Sequence, residues 1–436
     1  MRLRLHALIE RLRASLFLVP MASVVLAVGA GLGSVLIDSR LDKNGPDLPL
    51  ALASTVESAR ALLGTIAAAT ITFAGIAFSV SLLVIQLASS QYSPRVVHTL
   101  FRDPFNRRVM GLVVGTFTYC IMVLRSVRSQ LEEGGAPVIP NLSVSVAVVL
   151  GIAAILGVIA FINHNAHAMD VSEILERVKR EAMTQVRAEW APIAETEPPP
   201  PPGPAPDLTE VGRCVRFDRS GWIQIIDTDL LLGCAPDGAT IVVHTYAGRY
   251  AIEGSRFCTI APVDADAMDA TDDDVRATMA LGDTRTMQQD VSYGLRQLVD
   301  VALRALSPGV NDPTTAQDAI LHAAAVLAEL LRRRPPGTVR DDCGRTLVFV
   351  EAPDHLRLIR LTFEEIRRAA AGLPTVCIYL LEALSLLVDS VGGDLTDAAR
   401  NEIAEQARLV VAGSERSDLI AADLTAVRNA YRAQFG

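Results

Sequence analysis

Residues 61–94, ALLGTIAAATITFAGIAFSVSLLVIQLASSQYSP, contain no Asp, Glu, Lys or Arg and lie between Arg60 and Arg95. As a helix rising about 1.5 Å per residue, such a run reaches roughly 50 Å, against a bilayer hydrocarbon core of about 30 Å. It therefore tilts or projects beyond the bilayer at one end. Thr65, Thr72, Ser79, Gln86 and Ser93 recur at intervals of seven, and Ala68, Gly75, Leu82 and Ser89 follow three residues after each. One helical face is thus small or hydroxylated, while Ile66, Phe73, Ile76, Val80, Leu83 and Leu87 cover other faces. Such a stripe serves close helix packing, where small residues let backbones approach. It also serves as the wall of an uncharged pore built by copies of the helix around a symmetry axis. The pore-lining candidates are Thr65, Thr72, Gly75, Ser79 and Gln86.

Three further apolar runs accompany it, giving expected spans at about 14–37, 61–90, 109–124 and 142–162. Half of the residues are hydrophobic and only 5 % aromatic, as in a protein partly within a membrane. Gly29 and Gly33, and again Gly111 and Gly115, have the small-xxx-small spacing of helix contacts. The third run is short, and Arg108 and Arg125 can extend it by snorkelling. Arg2, Arg4, Arg11 and Arg13 precede the first span. Arg95, Arg102, Arg107 and Arg108 fill the second loop, and Arg177, Lys179, Arg180 and Arg187 follow the fourth span. By the positive-inside rule these segments are cytoplasmic, with both termini inside. The four loop arginines then form the cytosolic mouth of any path.

Residues 1–190 hold 17 Lys+Arg against 13 Asp+Glu, and residues 191–436 hold 23 against 36. An acidic soluble half argues against nucleic-acid binding. Six scattered cysteines without a CxxC pair read as reduced, mostly buried thiols, which agrees with a cytosolic C-terminal half. No Lys follows Lys179, which removes a P-loop or Schiff-base lysine from that half. The proline run at 195–206 marks a stiff linker (191–207). Short β runs separated by turn signals over 208–262 predict a small β-rich module, with Asp227 capping a short helix, that needs a neighbour to complete its core. From 263 to 436 the pattern is helical, at 272–281, 287–306, 313–333, 353–371, 374–391, 396–412 and 417–433, with RTLVFV (345–350) as an isolated strand.

The stretch 287–320 is the most distinctive of the soluble half. Arg296, Asp300 and Arg304 lie four apart on one face, an ion-pair ladder. Pro308 and Gly309 end that helix, and Asp312 caps the next with Pro313 at its first position. A specified αα-turn explains every one of these residues. The sharper alternative is a ligand or partner contact at Arg296, Asp300, Arg304, Ser307, Asn311 and Asp312. His164 and His167, three apart, are weak metal candidates because a zinc site needs further ligands. The aspartates at 264, 266, 269 and 272–274 lack the Gly and Glu of a calcium loop. No GxSxG, HExxH or Cys/His nucleophile pair occurs, so no enzyme and no cofactor is expected.

QDVSYGLRQLVDVALRALSPGVNDPTTA, together with FAGIAFSVSLLVIQLASSQYSPR at 73–95, resembles the DUF2254 family of predicted bacterial membrane proteins. The resemblance spans essentially the whole chain. It implies the same architecture and an inner-membrane location, and it brings no catalytic residues. The expectation is a mostly α membrane protein, with a four-helix transmembrane domain and helical extension at 1–190, the β module, and a cytosolic helical domain. Its expected partners are the bilayer and further copies of itself. Two functions follow: a channel-like protein using the second span, gated by its cytosolic domain, or a membrane-anchored sensor or scaffold.

Overall fold

The computed structural model describes residues 18–44, 55–91, 104–127, 140–168, 170–193, 212–261, 270–335 and 337–436. The chain divides into two compact units, 2–170 and 171–436.

The first unit is built from α1 (Leu18–Asn44), α2 (Val56–Gln91), α3 (Pro104–Leu124) and α4 (Asn141–Ala168). All four are long and apolar enough to cross a membrane. The expected third span begins at Pro104 rather than 109, because Pro104 supplies a preset first helical residue. This helix is the centre of the unit. It packs against α1, α2 and α4, while α2 also packs against α4. Val109, Val113, Tyr119, Cys120 and Val123 of α3 are buried. Gly111 and Gly115 admit α1: an added Cβ on Gly111 would lie 2.5 Å from Ser23 Oγ. The Gly29/Gly33 pair behaves differently, with no neighbouring atom within 4 Å of either added Cβ. The close approach on α1 is instead at Gly31, where a Cβ would stand 2.9 Å from Met122 Cβ.

Polar contacts close both ends of this unit. Asp38 accepts from the Leu142 and Ser143 backbone N–H groups at 3.0 and 2.9 Å. Nearby, the Tyr119 hydroxyl reaches Ser34 Oγ at 2.9 Å, and Arg60 donates to the Val127 carbonyl at 3.0 Å. At the opposite end the Asn106 and Asn165 amides bond reciprocally at 3.2 Å. Pairing the buried Asn165 with the half-buried Asn106 removes a desolvation cost that apolar surroundings would otherwise impose.

The second unit begins with α5 (Val171–Glu189), whose Ile174, Val178, Ala182 and Val186 recur every fourth residue and are buried. It packs on α8 (Val291–Ala305) and α9 (Pro313–Leu331). The helix expected as an extension of the 1–190 domain thus belongs to this unit, because its apolar stripe is covered here. Trp190 is buried behind it, and its carbonyl accepts from Arg333 Nη1 at 2.7 Å. Residues 191–192 (β1) pair with 333–334 (β8).

The β-rich module holds β2 (Arg213–Arg216), β3 (Gly221–Ile226), α6 (Thr228–Gly233), β4 (Thr240–Val243), β5 (Tyr250–Ala251) and β6 (Arg256–Ala261). Asp227 caps α6 by accepting from Leu230 N at 3.0 Å. The module is completed by later strands. β9 (Val339–Arg340) and β10 (Thr346–Phe349) extend a five-stranded sheet ordered β2-β6-β4-β10-β9. The RTLVFV strand is therefore not isolated but runs parallel to β4, Thr346 opposite Thr240. The expected helix 272–281 stops early. A Thr271/Asp274 capping box starts α7 (Asp272–Arg276), and Met279–Gly282 then pairs with β3 as β7. Met279 and Leu281 contribute to the β core with Ile223 and Ile226, which favours the strand over a longer helix.

The remaining helices are α10 (His355–Ala370), α11 (Pro374–Val391), α12 (Asp397–Glu415) and α13 (Ala421–Phe435). α11 is a fifth helix long and apolar enough to span a membrane. Within its unit it packs against α9, α10, α12 and α13, burying Cys377, Leu380, Leu381, Leu384 and Leu387.

Candidate functional site

The face of α2 that carries Thr65, Ala68, Thr72, Gly75, Ser79 and Gln86 is exposed along its length. α2 packs inward through Ala59, Leu63, Ala67, Thr70 and Ala77, with Ile66, Phe73 and Val80 beside them. No neighbouring atom lies within 4 Å of an added Cβ on Gly64 or Gly75. Among the described residues the stripe is therefore not used for packing inside the chain. Each hydroxyl donates to its own helix: Thr65 to Ala61 O at 2.7 Å, Thr72 to Ala68 O at 2.8 Å, Ser79 to Gly75 O at 3.0 Å. Their hydrogens point along the backbone and oxygen lone pairs are left outward. Ile76, placed on another face by the sequence pattern, is also exposed and lies beside the stripe, since successive helical residues advance by about 100°.

The other exposed faces differ in kind. α1 presents Val25, Leu26, Leu32 and Leu36, and α4 presents Val149, Ile152, Leu156 and Ile159. These bulky surfaces suit acyl chains; α1 also exposes Gly29 and Ser39, and α2 exposes Ile71, Phe78, Leu82 and Leu83, but the row of Thr65, Thr72 and Ser79 with Gly75 is carried by α2. Of the arginines at the mouth, Arg107 is half-buried and Arg108 exposed on the first turns of α3. Arg95 and Arg102 lie outside the described residues.

The 296–312 candidates come together as an αα-turn. Arg296 Nε pairs with Asp300 Oδ1 at 2.8 Å and clamps both oxygens of Glu365 on α10. Glu365, ahead of Asp300, raises the guanidinium pKa further above its ordinary value. Arg304 is exposed at the end of α8, and Ser307 Oγ donates to the Arg304 carbonyl. Asn311 takes φ 49°, the left-handed conformation asparagine tolerates. Asp312 caps α9, accepting from Thr315 Oγ1 and Thr315 N, which hold its carboxyl below the usual range. These contacts are those of a folded turn.

Sequence reasoning missed the residues just before it. Arg285 bonds the buried Asp290 and donates to Ser292 Oγ at 2.9 Å. Its guanidinium lies 5.8 and 5.0 Å from the Trp222 and Tyr293 ring centroids. Gly248, at φ 93°, abuts Asp290 where no Cβ fits. Gln289 bonds both the N–H and the carbonyl of Ile226, fastening α8 to the β sheet. The QQD triplet was visible in the sequence with Arg285 and Ser292 close to Asp290, but Ile226, Gly248 and Trp222 are far away in the chain.

The His164 ring lies 4.7 Å from that of Phe105, tilted by 49°, and the His167 side chain lies outside the described residues. Among the described residues no group of three or more His, Cys, Asp or Glu is placed to hold a metal ion. Asp272 and Asp273 are paired with Arg213 and Arg276, and Asp274 serves the α7 cap. Asp264, Asp266 and Asp269 lie outside the described residues.

Residues 13–386 match the family of predicted membrane proteins DUF2254. The chain belongs to DUF2254. Among its relatives are uncharacterized proteins of Mycobacterium tuberculosis and Mycobacterium bovis. Each is 31 % identical over 420 residues, covering 95 % of this chain and 78 % of the relative. No solved structure matches it. In this DUF2254 chain the matched region takes in the α2 face and the Arg285–Asp312 segment alike, and it ends within α11.

Proposed function

We propose that this membrane protein is a homo-oligomer whose α2 helices surround a path for ions or small solutes. The observation that carries the reading is the charge-free, hydroxyl- and glycine-bearing face of α2 that no helix among the described residues covers. In a bilayer that face meets lipid or another copy, and its row of hydroxyls contrasts with the bulky face of α4. The outward lone pairs of Thr65, Thr72 and Ser79 favour cations over anions along such a path.

The reading takes α1–α4 as the spans and places both termini and residues 171–436 on the cytoplasmic side of an inner membrane. The arginine-rich flanks support that orientation. Burial of α11 among four helices of its own unit supports counting it as a core helix. Residues 171–436 then gate the path, and no catalytic step is assigned to them.

The second reading, a membrane-anchored scaffold or sensor, draws on the same hydroxyls. Bonded within the helix, they can pack dry against a second copy.

Thiol accessibility separates the two. Single cysteines replace Thr65, Thr72, Ser79 or Gln86 in a background free of native cysteines, with Ala67 and Ala77 as buried controls. Labelling of the stripe but not the controls by a water-soluble reagent, with cation flux in proteoliposomes, is the expected result. An unlabelled stripe together with proteoliposomes that pass no ions overturns the path in favour of the scaffold.

A further inference from the structure

The segment joining β10 to α10 opens a cleft of about 400 Å³ lined by Glu351, Ala352, Asp354, Leu356, Arg357 and Arg360. That volume falls among small-molecule sites, roughly 300–1,000 Å³. The charges around it do not balance as pairs. Glu351 is engaged by Arg249, and Arg360 Nη2 bonds Glu402 Oε2 at 2.6 Å, which holds that carboxyl below its usual range. Asp354 caps α10, one oxygen accepting from the Arg357 backbone N–H at 2.7 Å. Arg357 is exposed, and its guanidinium lies 5.5 Å from the Tyr246 ring centroid and has no carboxylate partner among the described residues.

A guanidinium held by an aromatic face keeps its N–H fork available, and that fork matches the oxygens of a phosphate or carboxylate. Arg360, one helical turn on, lines the same cleft with its charge already shared with Glu402. Ala352 and Leu356 supply apolar surface for a flat ring, and Glu351 and Asp354 keep oxygens able to accept from hydroxyls. We propose that this cleft binds a small organic phosphate of nucleotide size, with Arg357 anchoring the phosphate. The site stands independently of whether α2 lines a path.

The test is equilibrium binding by full-length protein in detergent, using adenosine monophosphate, inorganic phosphate and adenosine as probes. Saturable binding of adenosine monophosphate at one site per chain is expected, with inorganic phosphate competing and adenosine binding more weakly. Arg357→Ala should raise Kd at least about tenfold, from loss of a charge-assisted contact. Arg357→Lys should recover part of that loss, and Arg428→Ala, on α13, should leave Kd unchanged. The proposal is overturned if adenosine monophosphate does not saturate, if adenosine binds equally well, or if Arg357→Ala binds as the parent does.

Discussion

Asp38, near the end of the first helix, caps the fourth: its carboxylate accepts from the backbone N–H of Ser143 at 2.9 Å and also from the Ser143 hydroxyl. One side chain thus satisfies donors that the start of α4 leaves open, and it couples helices separated by two others in sequence.

Replacing Asp38 by Ala should therefore loosen that end of the bundle by about 1 kcal/mol, the usual worth of a cap. Asp38→Asn should cost less, since an amide oxygen still accepts. Equilibrium unfolding in mixed detergent checks both, and an Asp38→Ala protein as stable as the parent would contradict the cap.

Two glycines on α1 should respond oppositely. Gly31→Ala brings a Cβ to 2.9 Å from Met122 Cβ and should destabilise by about 1–3 kcal/mol through overpacking. Gly29→Ala meets no neighbour and should be tolerated. The same unfolding measurement decides, and equal effects at the two positions would refute the helix contact described here.

Self-association through α2 makes a prediction of its own. Cysteines at Thr72 or Ser79 should form disulfide-linked dimers in membranes under mild oxidation, while cysteine at Ile159 on α4 should not. Cross-linking that favoured Ile159 would place the subunit contact on α4 instead.

His355 lends the 171–436 unit a pH dependence. Burial lowers its pKa below the ordinary 6.5, outweighing the Arg333 and Leu330 carbonyls and Asp354, which act the other way. The folded state therefore resists a proton that the unfolded chain accepts. Its contribution is full above pH 6.5 and is lost as pH falls toward the folded value. The unfolding temperature should drop between pH 7 and 5.5, and His355→Gln should flatten that slope. An unchanged slope in His355→Gln would show that another group titrates.

The helices were legible where a local signal was sufficient. Charge-free runs mark α1, α2 and α4, and Asp312-Pro313 and Thr396 mark helix starts with caps the structure contains. Tertiary partners decided the rest. Met279–Gly282 reads as the end of a helix until Ile223 and Ile226 stand beside it, and RTLVFV has no meaning as a strand without β4. The exposure of Thr65, Thr72 and Ser79 depends on which face of α2 meets α3, and periodicity alone does not choose. The cleft at Arg357 combines a tyrosine and an arginine more than a hundred residues apart, so no local motif announces it.

The central place of α3 has a consequence for how the protein is made. Among the described residues α1 and α2 each pack chiefly on α3. In the four-span reading the nascent chain then releases two helices into lipid before their main packing partner is made. α3 is shorter than either and carries Arg107 and Arg108 at its head, so it is the span a translocon retains least readily alone. Its insertion becomes the committing event of biogenesis, and chains truncated before it should be cleared by membrane quality-control proteases.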